Sequence, residues 1–82
     1  MNDDKRQALL AKGRKLFDTC RADQDYACVL GYVRHNLGQG GMRAEVAREF
    51  ISWLRALRDE NGEERRHAAA ILELLQPRPR TE

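Results

Sequence analysis

The chain has 82 residues, 34% of them charged, with a formal net charge of +2; that is room for one domain, with too small a charge excess for life on a phosphate backbone or an anionic membrane. No apolar run approaches the ~18 residues a bilayer crossing needs, and the N-terminal MNDDKRQALLAKGRK lacks the apolar centre of a signal peptide. The expectation is a cytoplasmic protein with no membrane partner, and its two cysteines are too few for a disulfide-built secreted module.

A first helix is predicted over about residues 3–20. Asn2 or Asp3 caps it, and Asp3 and Asp4 set negative charge at the positive end of the helix dipole. Leu9, Leu16, Phe17 and Cys20 share a face, with Leu10 at its edge. Gly13 lies in that face, where glycine costs about 1 kcal/mol relative to alanine, so close approach of another backbone is expected there.

A short connection follows, with Asp23 as N-cap of a second helix over about 24–37. Tyr26, Leu30, Val33 and Leu37 line up as its core stripe with Val29 beside them. On the other side Cys28, Tyr32 and His35 cluster within roughly 60° of arc around Gly31. Gly38 is expected to end the helix in the left-handed conformation. The LGQGG stretch lacks both the Lys-Ser or Lys-Thr of a P-loop and the preceding strand of a dinucleotide fingerprint, so it reads as a turn.

The third helix, about 42–60, is the centre of the reading. It carries the only tryptophan, Trp53. Met42, Val46, Phe50, Trp53 and Leu57 fall within about 80° of arc, and Ala47, Ile51 and Leu54 widen the apolar side to roughly 180°. A helix apolar over half its circumference must touch several neighbours. Arg48, Ser52, Arg55 and Asp59 form the opposite, solvated face.

The Asn61-Gly62 pair breaks the chain, and Asn61 with Glu64 fits a capping box for a fourth helix over about 63–76. Ala68, Ile71, Leu72 and Leu75 form its stripe, with Ala70 and Leu74 on the flank. Pro77 and Pro79 exclude further helix, leaving 77–82 as a flexible tail. The expected architecture is all-α: an irregular bundle of four short helices in one domain, residues 1–76, followed by that tail.

Chemistry-bearing residues are sparse. Cys20, Cys28, His35 and His67 are the conceivable metal ligands, but their spacings match no common zinc pattern, and no metal or cofactor is expected. Cys20 and Cys28 across the first turn allow a disulfide. The alternative, that Cys20 is a buried small hydrophobe and Cys28 an unrelated surface thiol, fits their helical phases better. No nucleophile has a base within reach, since Cys28 and His35 stand two turns apart on one helix, about 10 Å. The chain therefore reads as non-enzymatic.

Two binding functions remain. The first is a small protein-binding regulator or inhibitor of the bacterial or phage accessory type, docking a helix face on another protein and self-associating as a homodimer. Apolar residues left off the main stripes carry this reading. Its expected contacts are Tyr32, Ile51, Leu54 and Leu74 as anchors, with Arg48 and Arg55 at the rim. The alternative is a nucleic-acid-binding transcriptional regulator using the arginines of the second half. Against it, RAEVAREF runs on into ISWLRALR without the turn a helix-turn-helix needs, and Glu45, Glu49, Glu60, Glu63 and Glu64 interleave the arginines.

Overall fold

The helix with the widest apolar arc sits where the other three can all reach it. In the computed structural model, which describes residues 2–23, 25–60 and 62–75, four helices follow in order: α1 (Asn2–Asp23), α2 (Ala27–Gln39), α3 (Gly41–Asp59) and α4 (Glu64–Leu75). No strand occurs among the described residues. α3 packs on α1, α2 and α4, whereas α2 and α4 touch each other far less than either touches α3. One buried cluster draws on all four helices: Leu10, Phe17 and Cys20 from α1, Val29, Tyr32 and Val33 from α2, Val46, Ala47, Phe50 and Leu54 from α3, and Ala68, Ile71 and Leu72 from α4. The irregular four-helix bundle predicted from periodicity is the fold.

The turns differ from expectation in ways the backbone explains. α1 runs on to Asp23, so Asp23 is helical and does not cap α2. Asp25 takes part of that role, its Oδ1 accepting from the Ala27 N–H at 3.1 Å, while its own N–H donates to the Cys20 carbonyl at 3.2 Å and folds the corner. Gly38 stays inside α2. The reversal instead falls on Gly40 (φ 71, ψ −174) and Gly41 (φ 55), the first in a region that essentially only glycine enters. One residue thus separates α2 from α3. The expected caps from the side chains of Asn2, Asp3 and Asn61, the helix end at Gln76 and the 77–82 tail lie outside the described residues.

The largest correction concerns α2. Its buried residues are Val29, Tyr32, Val33 and Asn36, a face turned about 80° from the predicted stripe. Tyr26 and Leu30 are half-buried, and Leu37 is 39% exposed. The cause is Tyr32. Its hydroxyl donates to the carbonyl of Leu9 on α1, and its ring stands edge-on to Phe50 on α3 with centroids 5.4 Å apart. With its polar tip bonded and its ring packed between two helices, Tyr32 belongs inside. Burial raises the Tyr32 hydroxyl pKa above its ordinary 10.0.

Candidate docking surface

α2 and α4 lie side by side on α3, and paired contacts show that they run in the same direction: Tyr26 meets His67, and eight residues further along α2 Arg34 meets Leu74. The Tyr26 hydroxyl and His67 Nδ1 are 2.7 Å apart, with the rings edge-to-face at 6.0 Å. This contact closes the seam at its N-terminal end. His67 is half-buried here, with Tyr26 reaching it across the seam.

At the other end the seam stays open. Leu37 on α2 and Leu74 on α4 are 39% and 45% exposed and are the exposed large hydrophobics of the described residues. Exposed Arg34 reaches across from α2 to α4, its guanidinium donating to the Leu74 carbonyl at 3.3 Å. Leu37 follows Arg34 by three residues and Leu74 follows His67 by seven, so both leucines lie on the flanks that line the seam. Leu30, Ala70 and Leu75 are half-buried, Leu30 and Leu75 packing against the core. The stripe Tyr26, Leu30, Leu37 is thus real, but it faces α4 and the solvent above it instead of the centre.

The structure does not bring the six sequence-predicted contacts together. Leu54 is fully buried and Tyr32 is 8% exposed; both are core, and neither offers a docking anchor. Ile51 is half-buried against the same core. Arg48 and Arg55 are exposed on the outer face of α3, whereas Leu74 sits on the α4 flank that meets α2. Only Leu74 among the apolar four stands on open surface. Leu37 and Arg34 were missed because Leu37 had been given to the core stripe. Asn36, also missed, is 3% exposed, donating through Nδ2 to the Tyr32 carbonyl at 2.7 Å and accepting from Arg43 at 3.4 Å.

A second concavity, of about 350 Å³, lies between α1 and α2 and is lined by Leu9, Leu16, Tyr32 and Asn36, with Lys12, Cys28 and His35 around them. Both cysteines carry free thiols, Cys20 buried and Cys28 exposed. Burial, the largest influence, raises the Cys20 thiol pKa above its ordinary 9.0, against the lowering effect of the Val29 amide. Among the described residues no three His, Cys, Asp or Glu side chains converge as a metal site. No helix of the described residues is long and apolar enough to cross a membrane. Comparison with protein-family models, curated proteins and solved structures returns no match to this chain.

Proposed function

We propose that this protein is a small non-enzymatic regulator or inhibitor that docks the open end of the α2–α4 seam against a helix of another protein. The observation carrying this is the exposure of two large hydrophobics on neighbouring helices, Leu37 at 39% on α2 and Leu74 at 45% on α4, where Arg34 of α2 donates to the Leu74 carbonyl. Two parallel helices supported from below by a third leave a trough that suits an amphipathic helix, read as apolar anchors one turn apart. The exposed Arg34 guanidinium at this end of the seam favours a partner helix that carries a carboxylate beside its apolar anchors. Such a surface acts by occupancy: it covers a face that the partner needs for something else.

The test uses substitutions that leave the core alone. Leu37→Asp with Leu74→Asp is expected to keep the far-ultraviolet helical signal and melting temperature. It should weaken binding to a crosslinked partner by about 2 kcal/mol or more, roughly 30-fold. Binding by the wild-type chain should persist as salt is raised. Equal capture of the same proteins by wild type and variant sinks the proposal. Retention on generic duplex that falls log-linearly with salt, unaffected by the two aspartates, points to the nucleic-acid alternative. A fall from dimer to monomer in light scattering identifies the occupant as a second copy of this chain. Leu54→Asp serves as the contrast, because it buries a charge in the core and should unfold the protein.

A further inference from the structure

α1 and α2 turn back on one another, joined at one end by the Asp25 corner and tied further along by the Tyr32 hydroxyl on the Leu9 carbonyl. Where the two helices face, a concavity of about 350 Å³ remains, at the small end of the range in which proteins hold small ligands. Gly13 lets it form. With no side chain at that point of α1, the buried Tyr32 ring sinks onto the bare backbone, where an added carbon would stand 2.8 Å from Cε2, and it becomes the floor of the groove. Half-buried Leu9 and Leu16 line it from α1. They are two helical turns apart, roughly 10 Å along the axis.

The buried polar atoms of this groove are already bonded. The Tyr32 hydroxyl donates to the Leu9 carbonyl, Asn36 Nδ2 donates to the Tyr32 carbonyl at 2.7 Å, and Asn36 Oδ1 accepts from Arg43 at 3.4 Å. What the floor and walls offer a ligand is therefore apolar surface. Charge lies at the rim, where Lys12 of α1 and His35 of α2 are both exposed, and no carboxylate is among the described residues that line the groove. Lys12 enters no ion pair among the described residues, and His35 presents a ring N–H in either protonation state.

We propose that the groove between α1 and α2 binds a medium-chain fatty acid, its aliphatic chain on Leu9, Leu16 and the Tyr32 ring and its carboxylate at Lys12 and His35. A carboxylate answers to the rim, because an ammonium and an imidazole N–H are both donors and no negative charge opposes them. One short chain answers to the rest: an apolar trough about two helical turns long, whose polar atoms are engaged with each other, has nothing to give the hydroxyls of a sugar or the edge of a base. The site is separate from the α2–α4 seam. At 100° per residue, Cys28, Tyr32 and His35 lie roughly 180° around α2 from Leu30 and Leu37, so an acid in the groove and a partner on the seam occupy different faces.

Cys28 lines the groove and is exposed, whereas Cys20 is buried, so alkylation of Cys28 reports occupancy. The reduced full chain is reacted with iodoacetamide in rising octanoate and followed by intact mass, with acetate (the head without the chain) and octanol (the chain without the charge) titrated separately at the same ionic strength. Expected is saturable protection by octanoate with a midpoint on the order of 1 mM, as befits so small a ligand in an open groove. Acetate should not protect, and octanol should give about a tenth of the effect at equal concentration. Lys12→Ala, an exposed substitution, should raise the octanoate midpoint about tenfold with the helical signal unchanged. Leu37→Asp with Leu74→Asp should leave that midpoint where it was, which sets the groove apart from the docking seam. Octanol protecting as well as octanoate, protection that rises without saturating or not at all, or a Lys12→Ala midpoint equal to wild type would each overturn the proposal. So would alkylation reaching Cys20, since the acid would then be unfolding the chain.

Discussion

A methyl group on Gly13 would stand 2.8 Å from Tyr32 Cε2 and 2.9 Å from both Cζ and the hydroxyl. The same bare stretch of α1 exposes the Leu9 carbonyl, which lies one helical turn earlier and accepts the Tyr32 proton. Gly13 therefore serves a ring and its hydrogen bond, whereas the sequence reading expected a backbone there. Normally alanine is better than glycine inside a helix by about 1 kcal/mol. At Gly13 that gain is outweighed, since the Tyr32 ring is held between Phe50 and the Leu9 carbonyl and has nowhere to move. Gly13→Ala is expected to destabilise by about 1–2 kcal/mol in urea titration. Gly31→Ala, with nothing within 4 Å of the added carbon, should stabilise by roughly 1 kcal/mol. If the two variants shift the midpoint in the same direction, the assigned role of Gly13 is wrong.

Between elements, the demanding joint is α2 to α3. A single residue, Gly40, reverses the chain between two packed helices, and its φ of 71 with ψ of −174 lies where a side chain clashes with its own backbone. Gly40→Ala is expected to cost about 1–3 kcal/mol by thermal or urea unfolding, even though the added carbon meets no neighbour. The cost is conformational, so Gly38→Ala, two residues earlier and helical, should not show it. α1 is held on α3 by a different device: Arg6 bonds Glu45 Oε1 at 3.1 Å and Glu49 Oε2 at 2.6 Å. These side chains remain partly exposed, so the pairs orient α1 more than they stabilise it.

For the whole molecule, the two groups that burial shifts act in the same sense. Cys20 and Tyr32 both bind their protons more tightly when folded, above ordinary values of 9.0 and 10.0. In the unfolded chain those protons leave first as pH rises, so the native state holds more protons and stability falls. Stability from these groups is fully present below about pH 8 and is expected to decline from roughly pH 9 upward. Urea midpoints measured from pH 7 to 11 check this. Tyr32→Phe should flatten the upper part of the decline while lowering stability at neutral pH, because the Leu9 carbonyl loses its partner. A midpoint that rises between pH 9 and 11 contradicts the burial of both groups.

Four helices, their approximate limits and the central place of α3 were legible in the amino-acid order alone. Apolar spacing at 3.6 residues is a local property, and an arc as wide as that of α3 requires several neighbours wherever they lie. Which face of α2 turns inward was not legible. Thirteen residues there offered two candidate stripes, and the choice depended on a carbonyl and a bare glycine on α1, 23 and 19 positions away from Tyr32. Once Tyr32 goes in, Leu37 must turn out, and the seam with Leu74 opens beside Arg34. Leu54 was misread for a related reason: a phase angle shows which side of a helix is apolar, but how much of that side its neighbours cover is set by the packing of chains distant in sequence. The candidate docking surface is therefore a product of tertiary structure, built from residues the sequence had identified as apolar without showing which way they face.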